Sequence, residues 1–206
     1  MKAVAGNAAP LPPSAPSHRQ LVDEVRRRLA GRQRHALVVD GYRPAAVALL
    51  LRNRGGITHV PLIVRPGDMR AHAGQIALPG GVRDECDGSF VDCARRETHE
   101  ELGVAPGRVE PLGLLDDVPT PTGFVITPVV AELVGEGEYQ PSPDEVSAVF
   151  EAPLSLFADP ATAEDMGERE HRGIRYRLRA YRFGTHRIWG ATARVLEALH
   201  EVLHRP

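Results

Sequence analysis

Three glutamates close together in the sequence are the residues best suited to chemistry. Glu97, Glu100 and Glu101 occupy positions i, i+3 and i+4 of a predicted helix, so their side chains share one face. Like charges on one helix face repel each other, and no lysine is interspersed among them. Hard carboxylate oxygens suit Mg²⁺ or Mn²⁺, and a bound divalent ion would make the cluster favourable. The spacing therefore predicts a divalent metal site, and the alternative interpretation is an acidic face turned to solvent.

The helix that would carry these glutamates is bounded by residues typical of helix ends. It is predicted to begin near Asp87 or Ser89, where Ser89 and Asp92 form a variant of the capping box, and to end at Gly103. A mostly apolar stripe runs beside the glutamates and consists of Val91, Ala94, Thr98 and Leu102. This stripe indicates that the helix packs on a sheet and leaves its glutamate side accessible.

The rest of the chain is predicted to supply that sheet. The apolar run from Ala45 to Leu51 favours a strand covered on both faces. Turn residues at 53–56 make the segment 57–65 its hairpin partner. The acidic segment 159–170 is interpreted as a loop. Further strands are predicted at 76–78, 109–118, 124–134, 145–150, 174–183 and 186–190, and further helices at 17–30 and 191–203.

The composition excludes several classes of protein. The 206 residues are 42% hydrophobic and 25% charged, as in ordinary globular proteins. A net charge of −2 gives no reason to expect a nucleic-acid or membrane partner, and no apolar run has the length of a membrane span. Two cysteines, Cys86 and Cys93, make no disulfide framework and indicate a reducing cytoplasm. Residues 1–16, rich in alanine and proline, are predicted to be a disordered leader before a single domain at 17–206.

The segment 96–104, RETHEELGV, follows a Gly80-Gly81 pair and resembles the core signature of the Nudix hydrolases, REUxEExGU, in which U is a bulky apolar residue. Only Thr98 departs from this core. The resemblance implies a Nudix fold of the α+β class, in which a mixed sheet is sandwiched between helices (α/β/α) and the signature, about 80–104, carries the metal site. It also implies hydrolysis of a diphosphate bond by water, with Mg²⁺ or Mn²⁺ as the cofactor.

The same resemblance implies roles for individual residues. Glu97, Glu100 and Glu101 would hold the metal, and Glu97 and Glu100 would also act in catalysis together with Arg96. Glu145, from outside the signature, is a candidate base or additional ligand; an exposed acid at a strand end is its alternative. The signature lacks its usual upstream glutamate, for which either Asp87 or Glu85 would stand in as the partner of Arg96.

A second resemblance narrows the substrate. Segments 62–65, 69–75 (MRAHAGQ) and 78–81 (LPGG), with the displaced acid at Asp87, are similar to the coenzyme A pyrophosphatase branch of the family. Val64, Pro66, Met69 and Leu78 depart from the pattern of that branch. The resemblance implies that coenzyme A or an acyl thioester is the substrate. The residues that it implies for substrate binding are Arg65, His72, Gly74, Gln75, Gly80 and Gly81.

Several alternatives remain open at this stage. His72 and Gly74 could serve only to form a tight turn, and Trp189 is predicted to lie in the core, although it could stack on adenine. The substrate could be another nucleoside diphosphate derivative, such as ADP-ribose, NADH, a dinucleoside polyphosphate or an oxidised nucleotide. A Nudix-fold binding or regulatory module without catalysis is the further alternative. The sequence does not select an oligomeric state, and a homodimer is one possibility.

Overall fold

The structure, a computed structural model, describes residues 16–67, 74–171 and 174–204. The predicted leader therefore lies outside the described residues except for Pro16, and so does His72. The described residues form three α-helices, α1 (His18–Ala30), α2 (Phe90–Leu102) and α3 (Gly190–His204). Their strands are β1 (Arg43–Arg54), β2 (Ile57–Val64), β3 (Ile76–Ala77), β4 (Gly80–Val82), β5 (Val109–Leu114), β6 (Val118–Pro119), β7 (Phe124–Leu133), β8 (Ala148–Pro153), β9 (Ala163–His171), β10 (Ile174–Phe183) and β11 (His186–Trp189).

The central sheet is mixed, as predicted. Its main path runs β3-β2-β1-β7-β5, while β4 also pairs with β1, β6 with β7 and β8 with β2. The β1–β7 pair is parallel and joins ten pairs of residues, whereas the other pairs of this sheet are antiparallel. A second sheet, in the order β11-β10-β9, is antiparallel. The start of β1 thus pairs with the start of β7 on one edge and with β4, which carries the glycine pair of the signature, on the other.

Strand β1 is buried on both faces, which explains its uninterrupted apolar sequence. Leu49 and Leu51 pack in a cluster with α1 and α3, whereas Ala48 and Leu50 pack in a second cluster with α2. The sheet is thus covered by two helices on one side and by the glutamate helix on the other. This arrangement confirms the predicted α/β/α sandwich.

Capping residues define the ends of α1 and α2, as the sequence predicts. Ser17 caps α1 in a full capping box with Gln20. The Ser89 hydroxyl accepts a hydrogen bond from the Asp92 N–H at the start of α2. Gly103 ends α2 in the left-handed conformation, with φ of 66°, which glycine adopts without steric cost. Among the described helices, none is long and apolar enough to cross a membrane.

The interpretation of residues 159–170 as a loop is wrong, because most of this acidic segment forms β9. Its carboxylates pair with arginines on the neighbouring strand: Asp165 with Arg177, and Glu170 with Arg175 at 3.2 Å. Opposite charges on β9 and β10 therefore support the pairing of these strands, which the sequence of β9 alone does not indicate.

The predicted strand at 145–150 also begins later than expected. The backbone N–H groups of Glu145 and Val146 both donate to the Ser142 carbonyl oxygen and form a turn, and β8 starts at Ala148. Glu145 therefore lies in an exposed turn before the strand.

Candidate active site

The glycine pair lets strand and helix approach each other closely. Gly80 and Gly81 in β4 pair with Val47 and Ala46 of β1. A Cβ at Gly80 would overlap the Ala46 carbonyl oxygen, and a Cβ at Gly81 would overlap the carboxylate of Glu97. Gly80 therefore accommodates glycine only, whereas a side chain at Gly81 would displace the Glu97 carboxylate. The glycine pair thus has a steric role in addition to its predicted contact with the substrate.

Glu101 is the most deeply placed carboxylate of the signature, with 2% of its surface exposed. Its Oε2 accepts a hydrogen bond of 2.9 Å from the Gly80 N–H, and its Oε1 lies 3.7 Å from Arg65 Nη2. Burial raises the pKa of Glu101 to about 7, although the Gly80 N–H and Arg65 oppose this shift. Burial likewise raises the pKa of Glu97, which is half-buried one helical turn earlier.

These pKa values predict how stability depends on pH. The folded protein binds a proton on Glu101 between pH 4.5 and 7 that the unfolded chain has released, so the metal-free protein loses stability as pH rises through this range. The loss should reach about 3 kcal/mol above pH 7. Because glutamine does not ionise, Glu101→Gln should gain stability over the wild type as pH rises, which urea unfolding at pH 4.5 and 8 measures.

The exposed Glu110→Gln is the matched control and should follow the wild type at both pH values. Divalent metal added at pH 8 should stabilise the wild type and not the Glu101→Gln variant. A stability difference between Glu101→Gln and wild type that stays constant from pH 4.5 to 8 would contradict the prediction.

Arg96 ties the carboxylates of this region together. Its Nε and Nη2 donate to the two oxygens of Asp87 at 3.1 and 3.0 Å, and its Nη1 donates to Glu97 at 2.9 Å and to Glu100 at 2.8 Å. Hydrogen bonding to Arg96 lowers the pKa of Asp87, which is buried, whereas Glu85 is exposed. Of the two acids that could replace the missing upstream glutamate, Asp87 is therefore the one in contact with Arg96.

A cavity of about 650 Å³ opens beside Glu97 and Glu101. At this polar end the predicted site residues in its wall are Arg65, Gln75, Gly80, Gly81, Glu97, Glu101 and Glu145. Glu100 does not line the cavity; its side chain is about half exposed and held by Arg96. Gly74 lies outside the wall, in a turn with φ of 68° whose N–H donates to the Arg65 carbonyl oxygen. For Gly74, this position agrees with the alternative interpretation, in which the glycine forms a tight turn.

The carboxylates are of the kind that a divalent cation requires. Glu97 and Glu101 face one cavity, and the charge of Glu145 helps to raise the pKa of both. Within the described residues, however, no three acidic, histidine or cysteine side chains converge closely enough to hold an ion as they stand. Arg96 holds Glu100 at the surface through a hydrogen bond of 2.8 Å, so Glu100 would have to rotate to join Glu97 and Glu101 at one ion.

Another part of the cavity wall is formed by Trp189 and by residues that the sequence did not single out. Trp189, predicted to lie in the core, is 39% exposed and lines the cavity, so that prediction is wrong. Tyr176 of β10 and Arg194 of α3 lie in the same wall, together with the 119–122 turn. These residues meet because α3 packs against β6 and β10 while β11 packs against β3, and no local sequence pattern indicates this docking.

Comparison with known proteins identifies the architecture. The family model described as NUDIX domain matches residues 41–174. The protein named Uncharacterized Nudix hydrolase NudL from Enterobacter sp. (strain 638) is 34% identical over 182 residues, which cover 80% of this chain and 94% of that protein. The chain belongs to the Nudix hydrolase family. A protein of the same name from Escherichia coli O1:K1 / APEC is 36% identical over 158 residues, 71% of this chain and 76% of its own.

The Nudix fold is also found among solved structures. The crystal structure of a MutT/nudix family protein from Enterococcus faecalis superposes with a TM-score of 0.54 at 20% identity, covering 82% of this chain and 65% of that chain. As a Nudix hydrolase, the chain is an enzyme that acts on a nucleoside diphosphate derivative, and the family generally uses divalent metal ions. The alternative of a non-catalytic module is therefore wrong. The cavity wall built by Tyr176, Trp189 and Arg194 lies beyond residue 174, where the match to the family model ends.

Proposed function

We propose that this Nudix hydrolase cleaves the diphosphate of coenzyme A, or of its acyl thioesters, to 4′-phosphopantetheine (or the acyl form) and 3′,5′-ADP. The observation that carries the proposal is the cavity, whose wall contains the acidic side chains of Glu97, Glu101 and Glu145 together with many apolar residues. Coenzyme A has the matching layout, with a central diphosphate flanked by a nucleotide and by a long, weakly polar arm. The resemblance of segments 62–65, 69–75 and 78–81 to the coenzyme A branch supports the same substrate.

In the proposed reaction, water attacks one phosphorus of the diphosphate in line with the leaving oxygen. Mg²⁺ or Mn²⁺, held by Glu97, Glu100 and Glu101, would neutralise phosphate charge and lower the pKa of the attacking water. Arg65 faces the same end of the cavity and would bind a diphosphate oxygen in place of its 3.7 Å approach to Glu101.

The other residues of the site would position these groups and move the proton. Arg96, fixed by Asp87, would hold Glu97 in its rotamer, and the backbone of Gly80 and Gly81 would allow the substrate to approach. Glu145 is exposed at the cavity mouth and is the candidate base that takes the water proton. Gln75 also lines the cavity, and its backbone carbonyl oxygen accepts a hydrogen bond of 3.0 Å from the Arg65 N–H; it is a candidate contact for the substrate.

One experiment tests the substrate. Purified protein is incubated with Mg²⁺ or Mn²⁺ and a panel of coenzyme A, acetyl-coenzyme A, ADP-ribose, NADH and dinucleoside polyphosphates in H₂¹⁸O, and the products are identified by mass. We expect 3′,5′-ADP from coenzyme A, with ¹⁸O in only one of the two products. Turnover of another compound without 3′,5′-ADP from coenzyme A would replace this function with one of the alternatives.

We propose a cytoplasmic location and a small-molecule substrate as the main partner, with neither nucleic acid nor membrane bound. The support is the small net charge and the pair of free thiols, Cys86 exposed and Cys93 buried. We further propose that residues 17–206 act as one domain after a leader at 1–16. A homodimer is one alternative for the assembly, and light scattering after size-exclusion chromatography decides it.

A further inference from the structure

Arg194 places a guanidinium in the wall of the cavity. Its Nη1 donates to the Pro119 carbonyl oxygen at 2.9 Å, and its guanidinium carbon lies 5.2 Å from the centre of the Tyr176 ring. Among the described residues, no carboxylate forms an ion pair with it and no acceptor is recorded for its Nε or Nη2. Burial lowers the pKa of Arg194 from its ordinary value, and the charges of Tyr176 and Glu197, which form no ion pair with it, oppose this shift only in part.

The acid nearest in sequence is occupied elsewhere. Glu197, one turn further along α3, accepts a hydrogen bond of 3.0 Å from the Tyr181 hydroxyl and lies 3.7 Å from Arg179. It is absent from the cavity wall, whereas Arg194 is part of it. In the described part of the chain, every buried side-chain nitrogen has a hydrogen-bond partner, so the free N–H groups of Arg194 are accessible. They can be satisfied by a ligand that enters the cavity.

The start of α3 adds positive potential at the same place. Gly190, Ala191 and Thr192, the first turn of this 15-residue helix, line the cavity together with Arg194. The first N–H groups of a helix have no partner within it, and the helix dipole makes this end positive. No acidic residue lies in the first turn to compensate it. Two sources of positive charge thus lie in one wall next to β6, which β7 and β1 separate from β4 and the carboxylates beside it.

Aromatic rings flank this positive wall. Tyr176 lies beside Arg194, and the exposed ring of Trp189 directly precedes α3. Rings of this kind provide stacking surface for a planar base. An aromatic surface next to a guanidinium matches the chemistry of a nucleoside that carries an extra phosphate.

We propose that the wall formed by Arg194 and the first turn of α3 binds a phosphate monoester on the ribose of the substrate, while the diphosphate lies at the carboxylate end. This inference rests on the proposed function and deepens it. Coenzyme A carries a 3′-phosphate in addition to its diphosphate, whereas ADP-ribose and NADH carry none. Arg194 is therefore a specificity-determining residue, which selects substrates with that phosphate.

Binding of product analogues tests the site directly. Calorimetric titration of the Mg²⁺-loaded protein with 3′,5′-ADP and with 5′-AMP compares ligands that differ only in the 3′-phosphate and contain no diphosphate to cleave. We expect 3′,5′-ADP to bind about 10- to 100-fold more tightly, because a charge-assisted hydrogen bond to phosphate has that worth. Arg194→Gln should reduce the difference to less than about threefold through weaker binding of 3′,5′-ADP alone.

The controls separate charge recognition from a change in fold. Arg175→Gln, on the exposed face of β10, should keep the full preference for 3′,5′-ADP. Arg194→Lys retains the positive charge and should keep part of the preference for 3′,5′-ADP. This variant tests charge recognition if Arg194→Gln unfolds. Equal affinities of the wild type for the two nucleotides, or an equal loss for both in Arg194→Gln, would overturn the inference.

Steady-state kinetics distinguish failure of this inference from failure of the proposed function. With coenzyme A and 3′-dephospho-coenzyme A, we expect about a tenfold or larger difference in KM that Arg194→Gln removes, with little change in kcat. Equal KM values with active turnover would leave the proposed function intact and reject the phosphate site. A preference for 3′,5′-ADP without turnover of coenzyme A would leave the phosphate site intact and reject the function.

Discussion

Replacement of Glu101 by glutamine is expected to lower kcat for diphosphate hydrolysis by about 10²- to 10⁴-fold. Glutamine keeps the shape of the side chain and an oxygen that can accept the 2.9 Å hydrogen bond from Gly80. It removes the negative charge that a divalent ion requires from its ligand. The measurement is the initial rate at saturating Mg²⁺, together with the metal concentration that gives half of the maximal rate.

The same variant should fold normally and be more stable than the wild type above pH 7, since its side chain carries no buried charge. Loss of activity with gain of stability would identify Glu101 as a residue retained for function at a cost in stability. The exposed Glu110→Gln is the control and should retain the wild-type rate. A Glu101→Gln enzyme with undiminished rate would remove this residue from the metal site.

Arg96→Leu should have the largest effect on stability, about 2–4 kcal/mol of unfolding free energy, and should also reduce activity. The substitution leaves Asp87, with 5% of its surface exposed, without its two charge-assisted hydrogen bonds. It also removes the contact that holds Glu97 in place. Urea unfolding at pH 7 measures the stability, and the rate with the preferred substrate measures the second effect.

A double-mutant cycle shows whether the unpaired charge of Asp87 causes the loss of stability in Arg96→Leu. Asp87→Asn in the Arg96→Leu background removes the buried unpaired charge, so the double variant should be less destabilised than the sum of the two single variants by 1 kcal/mol or more, about the worth of one charge-assisted hydrogen bond. Additive effects would mean that the cost of Arg96→Leu comes from lost packing of the long arginine side chain.

Local features of the fold were predictable from the sequence. The ends of α2, the buried strand β1 and its hairpin with β2 were predicted correctly, because capping residues, glycine turns and apolar runs act within a few residues. The acidic strand β9 was not predicted, because its pairing depends on arginines located on the strand that follows it. A pattern that is incomplete within one segment cannot identify a strand.

The residues of the candidate site likewise fall into those that the local sequence predicts and those that depend on tertiary contacts. The spacing of Glu97 and Glu101 along one helix was enough to predict that both face one place, and the structure brings both to the cavity. Glu100, three residues after Glu97 on the same helix face, is instead held at the surface by Arg96. This position depends on a side-chain contact and not on helical periodicity. Tyr176, Trp189 and Arg194 come from β10, β11 and α3, and their meeting is a result of tertiary docking alone.

Helix α3 has two tasks, since it covers one face of the central sheet and supplies one wall of the cavity. A ligand that contacts both α3 and the signature strand β4 in the cavity therefore links these two elements. Because binding to the closed form lowers the population of locally opened forms, bound ligand should slow amide hydrogen exchange throughout α3, even in turns that do not touch it. Ligand binding in the cavity and local opening of α3 are thus coupled, so a substrate that binds between α3 and β4 would also stabilise the packing of α3 on the sheet.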